Sequence, residues 1–568
     1  VDGHASIRPG PDAPAASWVD GLVLAGLGAL VAGLVAFARR WHAPLATAAA
    51  IDLSPRALPG YALLSLARGF AAYGLSLAVT LVYATAAAHS AAAARILIPL
   101  LDVLQSIPVL GFLPGLVLGL VALFPHSNAG LELACIVMIF TGQAWNMIFS
   151  FYASLRGIPT ELREAGILFR LGRWRYFRTV ELPAATIGLV WNSMMSMAGG
   201  WFFLTVCEAF TLGNRDFRLP GVGAYVSAAI DRGDGRAEAA GLVAMAAMIL
   251  ATDQLVWRPL VAWSARFRLE DTAPGVEARS WVLALLGRSG LLRRLAALAR
   301  RRRRVPPRPG PRAGGRAAGV LRAAGRSVLV ALGLGVALGV GQLARYLAAV
   351  PAAGWGRLGA ALAATTLRTA ATVALAAAWT VPAGILIGRS ARLAPRLQPA
   401  IQMLASFPAP MLYPLVTGVL LAVGLPFSLI AVALMLLGAQ WYVLFNVIAG
   451  ASAIPGDLRE AADGFRLAGW TRWRTLELPV VFPYLVTGLI TAAGGAWNAS
   501  IVAELVRFRG RTLVTTGLGA LITEATAAGD FPLLAAGVLT MALTVVGLNR
   551  FGWRRLYRLA ETRYALLR

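Results

Sequence analysis

The chain has 568 residues, of which 58% are hydrophobic and 14% charged, with a mean hydropathy of +0.69. No polar stretch is long enough for a soluble domain of ~100 residues, and apolar runs of about 20 residues recur throughout, so nearly all of the mass belongs in or beside a bilayer. The net charge of +26 comes from 52 arginines and no lysine, which excludes the nucleotide-binding loop G-x-x-x-x-G-K-[ST] and assigns any ATP chemistry to a partner.

Residues 1–17 are polar and lack the basic-then-apolar order of a cleavable signal, so they read as a cytoplasmic N-terminus and the first apolar run as a permanent helix. Six apolar spans follow in a first unit, 18–265, at about 18–38, 60–88, 95–124, 130–156, 183–212 and 238–263. The second span carries Arg68, and the third carries Ser106-Ile-Pro108 and Pro114. Cys135 and Cys207 both lie in apolar runs, and two isolated cysteines make neither a disulfide scaffold nor a metal site.

An Arg-rich stretch, 266–325, comes next. Residues 264–327 hold 16 arginines against Glu270, Asp271 and Glu277, half of the net charge. Clustering of this kind marks the cytoplasmic side of a membrane protein and suits contact with anionic lipid headgroups; it does not imply nucleic acid. A second unit, 326–556, has spans at about 326–348, 357–388, 397–424, 427–450, 479–506 and 531–555, and 557–568 reads as a cytoplasmic tail.

The second unit repeats the first. At an offset of 296, Gly142 and Trp145 meet Gly438 and Trp441, Gly199 and Trp201 meet Gly495 and Trp497, Glu208 meets Glu504, and Gly221-Val-Gly223 meets Gly517-Leu-Gly519. Upstream the offset is 300, pairing Arg68 with Arg368 and Ser106-Ile-Pro108 with Ser406-Phe-Pro408. One gap fits an internal duplication. With an even number of spans per copy, the units form a parallel repeat about an axis along the membrane normal, both termini and the Arg-rich link sharing the cytoplasmic side. Arg39, Arg40 and Arg56 fall in a loop expected outside, against that rule. The fold expected is all-α and polytopic, with about 12 transmembrane helices in two six-helix repeats.

Between the fourth and fifth spans stand EAGILFRLGRWRYFRTVELP (164–183) and EAADGFRLAGWTRWRTLELP (460–479), identical at 11 of 20 positions. Trp174 and Phe177, like Trp470 and Trp473, are spaced to share one helical face. Pro183 and Pro479 close each segment, because proline disfavours helix at the residue before it. Interfacial anchoring accounts for aromatic and Arg content; it does not account for the kept order, which requires a shaped reader.

The pattern E-A, about seventeen residues, then L-P between the fourth and fifth spans resembles the signature loop of binding-protein-dependent ABC importer permeases. The S-x-P of the third span, the Gly-rich Trp segment leading to Glu in the fifth, and the G-x-G after it resemble the nitrate, sulfonate and taurine branch, here as a fused, duplicated permease over roughly 60–265 and 355–560. The resemblance implies a type I importer fold in the bacterial inner membrane, no catalysis and no metal in this chain, and two copies of a separate ATPase subunit that bind ATP and Mg. It also implies a periplasmic substrate-binding protein. It makes 161–183 and 457–479 coupling helices that dock on the ATPases through Glu164, Ala165, Phe169, Arg170, Trp174, Phe177 and Pro183, and through Glu460, Ala461, Phe465, Arg466, Trp470, Trp473 and Pro479. Two departures stand out: Arg170 and Arg466 occupy a position where the family usually has Gly, so the turn is expected to differ, and Gly166 replaces the third-position Ala.

Polar residues within spans are costly and face a bundle interior or a cavity. Arg68, Ser106, Asn146, Asn192, Ser196, Arg368, Ser406 and Asn498 are the candidates for a translocation path, with the two arginines supplying positive potential for a small anion; helix-helix hydrogen bonding and snorkelling remain open for each. Glu208 and Glu504, about 25 residues beyond the cytoplasmic proline, are expected at the outer mouth or against the binding protein. Two other classes remain open. A twelve-span transporter driven by an ion gradient would need ionisable groups in mid-span, and a membrane scaffold or sensor would show no substrate-dependent ATP turnover with an ATPase.

Overall fold

The computed structural model describes residues 18–41, 50–106, 108–212, 215–267, 280–289, 334–335, 337–390, 392–508 and 510–564. The expected N-terminus 1–17, most of the Arg-rich link, the end of the tail and the side chain of Ser106 lie outside the described residues.

The first repeat runs α1 (Trp18–Trp41), α2 (Leu58–His89), α3 (Ala91–Ser106), α4 (Leu113–Leu123), α5 (Ala129–Arg156), α6 (Thr160–Leu168) and α7 (Arg173–Tyr176). It continues through a π-turn (Phe177–Glu181), α8 (Leu182–Cys207), the hairpin β1 (Ala209–Leu212) and β2 (Arg215–Arg218), α9 (Val222–Arg232), α10 (Gly235–Thr252), a second π-turn (Asp253–Trp257) and α11 (Arg258–Ser264). Within the link, α12 (Trp281–Arg288) is a short helix started by Ser280, whose hydroxyl accepts from Leu283 N at 3.2 Å.

The second repeat retraces this order as α13 (Ala352–Gly388), α14 (Leu393–Ser406), α15 (Ala409–Ala422), α16 (Phe427–Ser452), α17 (Gly456–Gly464) and α18 (Gly469–Arg472). A π-turn (Trp473–Glu477), α19 (Leu478–Ala503), β3 (Leu505–Phe508), β4 (Arg511–Val514), α20 (Leu518–Ala528), α21 (Phe531–Gly547), another π-turn (Leu548–Trp553) and α22 (Arg554–Arg563) complete it. Each hairpin is antiparallel, with Ala209 opposite Arg218 and Leu505 opposite Val514.

Local chemistry explains the shared punctuation. Gly233 and Gly529, at φ of 67° and 71°, end α9 and α20, and the next residue, Asp234 or Asp530, caps the following helix by accepting backbone N–H bonds.

The third span of each copy is broken where a continuous one was expected. Its halves bend by 84° and 88° at Pro108 and Pro408, because proline has no N–H to give the helix and forces the residue before it out of helical conformation. The freed N–H of Val109 donates to Asn498 Oδ1 of the other repeat at 2.8 Å.

Seven described helices are long and apolar enough to cross a membrane, and nine if each bent pair is one crossing. The expected spans at 18–38, 183–212 and 326–348 fall outside that set, the last of them lying partly outside the described residues. The helix of the latter, α8, carries Trp191, Asn192, Ser193 and Ser196 where its counterpart α19 carries Thr487, Gly488, Leu489 and Ala492, yet it packs on α2 and α5 as α19 packs on α13 and α16. The hairpins replace the last residues of the predicted fifth spans. One apolar core crosses between repeats, joining Met197, Trp201 and Tyr225 to Met411, Trp497 and Leu518.

Candidate functional site

The sequence candidates sort into three places along the molecule. At one end stand the two repeated segments. In the first, α6 closes with Phe169, and Arg170 then takes a left-handed φ of 48°; Arg466 does the same at 52°, and these are the only non-glycine residues with positive φ among the described residues. Arg170 N donates to Ile167 O at 2.9 Å and Leu171 N to Gly166 O at 3.0 Å, while Arg466 N donates to Asp463 O at 3.0 Å and Leu467 N to Ala462 O at 2.9 Å. Both are glycine-type helix stops executed by arginine. The turn was expected to change with the Gly-to-Arg departure; the backbone keeps the glycine conformation instead, at about 1–2 kcal/mol per residue.

That stop pushes side chains outward. Ile167, Leu168 and Phe169, like Phe465, stand exposed, with Trp174 67% and Trp470 70% accessible. Trp174 stacks on Phe177 with ring centroids 5.8 Å apart, and Arg178 lies 5.8 Å from the Trp174 centroid. Phe177 and Trp473 are half-buried, and in the first copy Phe177 roots the exposed Trp174 by that stack. Glu164, Arg170, Glu460, Ala461 and Arg466 are exposed, Ala165 is half-buried, and Pro183 and Pro479 start the long helices behind. Exposed apolar patches of this kind mark interaction sites on proteins in general.

Gly166 also has a physical reason. A Cβ there would lie 2.5 Å from the ring of Tyr176. In the second copy Ala462 has its methyl, and the position of Tyr176 is taken by Arg472, which pairs with Asp463.

Between the repeats lies a cavity of about 270 Å³. The breaks at Pro108 and Phe407 open onto it, and Asn146, Asn498, Gln105, Gln402, Thr141, Thr491 and Asn549 line it together with Trp145, Trp441, Tyr442 and Trp553. None of its described lining residues is charged. Of the eight path candidates, Asn146 and Asn498 reach this cavity. Asn192 instead donates to Ser150 Oγ at 2.8 Å, tying α8 to α5; Ser196 is buried; Ser406 donates to Gln402 O at 2.7 Å and faces a smaller void beside Trp201 and Trp257.

At the far end, about 37 Å along the helix from Pro183 to Glu208, the candidate arginines and glutamates meet each other. Arg68, wholly buried, donates to Glu132 from Nε at 2.6 Å and from Nη2 at 2.8 Å, and its Nη1 donates to Glu208 Oε1 at 2.8 Å and Pro220 O at 2.9 Å. Ser65 Oγ donates to the same Glu208 oxygen at 2.6 Å, and Gly223 N, at the start of α9, donates to the other at 2.8 Å. In the second repeat Arg368 donates to Glu504 Oε1 and Thr515 Oγ1, both at 2.8 Å, with Thr365 and Gly519 N also on Glu504. The G-x-G motif follows from this: a side chain at Gly221 or Gly517 would collide with the carboxylate, and one at Gly223 or Gly519 with the backbone of the preceding long helix.

Glu208 and Glu504 were expected on an accessible outer mouth; both are 0% exposed. Arg68 and Arg368 were expected to lend positive potential to the path; each is matched by carboxylate and neither lines the cavity. Desolvation forces such charges to pair, which makes the group a brace between the second and fifth long helices of each repeat. Sequence reasoning missed Glu132, and also Glu181 and Glu477, the buried acids of Glu-Leu-Pro. An acid within an apolar run opposite a buried arginine was the available signal.

The chain matches the family model described as binding-protein-dependent transport system inner membrane component twice, over residues 77–256 and 380–557. It is similar to a bicarbonate transport system permease protein of Synechococcus elongatus, 31% identical over 143 residues, which are 25% of this chain and 50% of that protein. A nitrate import permease protein of Leptolyngbya laminosa is 30% identical over 145 residues, 26% of this chain and 50% of that protein. An osmoprotectant import permease protein of Salmonella typhimurium is 28% identical over 181 residues, 32% of this chain and 81% of that protein. The chain thus spans about half the length of the bicarbonate and nitrate permeases it matches. Since the two model matches together cover more than half of its residues and coincide with the two structural repeats, the chain belongs to the binding-protein-dependent transport system inner membrane component family, as a fused duplication.

Proposed function

We propose that this chain is the complete transmembrane pair of an ATP-driven importer, taking a small solute through the cavity between its repeats by alternating access in a bacterial inner membrane. The observation that carries the reading is the duplicated, exposed aromatic ridge, Phe169 with Trp174 and Phe465 with Trp470, at the same end of both repeats. Each ridge docks one copy of a separate ATPase subunit, which holds ATP and Mg, and the closing of the two ATPases moves the long helices behind Pro183 and Pro479. That end, the Arg-rich link and both termini are cytoplasmic, and a periplasmic binding protein delivers the solute to the opposite face.

The relatives named for nitrate and bicarbonate support a small anion as the solute. With Arg68 and Arg368 neutralised, such an anion is met in the cavity by neutral donors, the carboxamides of Gln105, Asn146, Gln402 and Asn498 and the hydroxyl of Thr491. A gradient-driven mechanism is disfavoured by the same lining, which offers no carboxylate, histidine or basic side chain among its described residues to carry a coupling ion. The test is reconstitution of the chain with its ATPase and binding protein in liposomes. ATP-dependent uptake that stops when both Trp174 and Trp470 are replaced by Ala is the expected result; uptake driven by an ion gradient without ATP overturns the reading.

A further inference from the structure

Two arginines hold a backbone conformation that disfavours them and gain nothing for it within the chain. Arg170 and Arg466 follow α6 and α17 with φ of 48° and 52°, where a Cβ crowds the next carbonyl and glycine fits without strain. Both side chains are exposed, and neither makes a hydrogen bond or an ion pair among the described residues. Neighbouring arginines show what an internal role looks like. Arg163 Nη2 donates to Arg156 O at 2.7 Å, Arg459 Nη2 donates to Ala451 O at 3.1 Å, Arg178 lies over the Trp174 ring, and Arg472 pairs with Asp463. An exposed arginine without a partner is ordinary; one kept on a left-handed turn in both copies is not. What rewards it lies outside the chain.

The charge around each arginine separates the partners it could meet. Residues 160–181 carry five arginines against three glutamates, whereas 456–477 carry four arginines against four acids. An anionic bilayer responds to charge summed over a Debye length, about 10 Å at 0.1 M salt, so it attracts the first segment and is indifferent to the second. Arg173 and Arg175 of the first copy are Gly469 and Thr471 in the second, so the summed charge has drifted while the arginine of the helix stop has stayed. In both copies it directly follows an exposed phenylalanine, Phe169 or Phe465. The partner therefore reads one guanidinium at a fixed place beside an aromatic ring, which a carboxylate fixed on a protein surface does and a fluid headgroup layer does not.

We infer that Arg170 and Arg466 are specificity-determining contacts, each meeting a carboxylate beside the ATPase groove that takes the neighbouring phenylalanine. The inference rests on the docking reading above and adds to it the chemistry of the partner's surface. Both ridges face copies of one ATPase, so both keep the same guanidinium although the charges around it differ. The strain of the two turns is then offset by the contact, and a glycine, which would relieve the strain, forfeits the contact.

The test is binding of the ATPase subunit that co-purifies with this chain to the full chain in lipid nanodiscs, with both arginines changed together. Arg170→Gln with Arg466→Gln should weaken binding about tenfold or more, the loss of a charge-assisted hydrogen bond at each ridge. The loss should be equal in discs of phosphatidylcholine and in discs containing phosphatidylglycerol. Arg170→Gly with Arg466→Gly should weaken binding as much, although it relieves both turns. The chain has no lysine of its own, so Arg170→Lys with Arg466→Lys gives it two side-chain amines. A carbodiimide, which joins an amine to a carboxylate in contact with it, should link them to an aspartate or glutamate of the bound ATPase. Glycine variants that bind as tightly as wild type, a loss confined to discs with phosphatidylglycerol, or lysines that link to no carboxylate of a bound ATPase each overturn the inference and leave docking in place. A wild-type chain that binds no ATPase overturns the inference and the transport reading together.

Discussion

The two repeats share a backbone and differ in how they fill it. Where α5 crosses α8, Gly188 faces Ser154, and a Cβ at Gly188 would lie 2.9 Å from the Ser154 hydroxyl. At the matching crossing of α16 and α19 the sizes are exchanged: Gly450 makes room for the ring of Tyr484, 2.9 Å from where its Cβ would stand. Gly166 with Tyr176 answers Ala462 with Arg472 in the same way, and Arg68 with two carboxylates answers Arg368 with one, Ser428 standing at the position of Glu132. Duplicated copies have drifted by paired exchanges that hold volume where the helices cross, while the balance of charge at the brace has changed. Glu208 and Glu504 are kept where the shared geometry leaves little room for a second solution, each accepting from an arginine, a hydroxyl and the G-x-G backbone.

The largest difference between the repeats should appear at the braces. Glu504→Gln leaves Arg368 without a carboxylate and should cost about 3–5 kcal/mol, whereas Glu208→Gln leaves Arg68 on Glu132 and should cost distinctly less. Thermal unfolding of the two variants in one detergent reads this directly, and equal losses would show that Glu132 contributes nothing.

At the ridges the repeats should behave alike. Trp174→Ala and Trp470→Ala should each weaken ATPase binding by about 2 kcal/mol, roughly thirtyfold, without lowering the unfolding temperature. A titration that finds one of the two silent would make docking asymmetric.

Smaller effects separate the segments again. Gly166→Ala drives a methyl into Tyr176 and should cost about 1.5 kcal/mol. The double variant Gly166→Ala, Tyr176→Arg, which rebuilds the second copy's arrangement, should recover most of that loss. The smallest expected change is a gain: Arg170→Gly or Arg466→Gly relieves the left-handed turn by about 1 kcal/mol, visible as slower exchange in the preceding helix, while removing a charge from the docking face.

Much of this is legible in the chain because duplication supplies its own control. Two copies at offsets of 296 and 300 are enough to mark the repeated segments 164–183 and 460–479, the Gly and Trp positions, and the Arg68/Arg368 and Glu208/Glu504 pairs. The partnership within those pairs is not legible. Arg68 and Glu208 are 140 residues apart, and only the close approach of α2 to α8 makes a brace out of what look like a path residue and a mouth residue. The bends at Pro108 and Pro408 are written as S-x-P, but hydropathy runs through a proline without registering it. Periodicity likewise cannot see a left-handed arginine, which tertiary context imposes on a residue that does not favour it.

The central proposal is that one chain presents two equivalent docking ridges to two ATPase subunits. The mass of the intact complex, released gently from detergent, tests this most directly. One copy of this chain with two ATPases is the predicted stoichiometry, and a stable complex with a single ATPase, or two copies of this chain sharing a pair of ATPases, would contradict it.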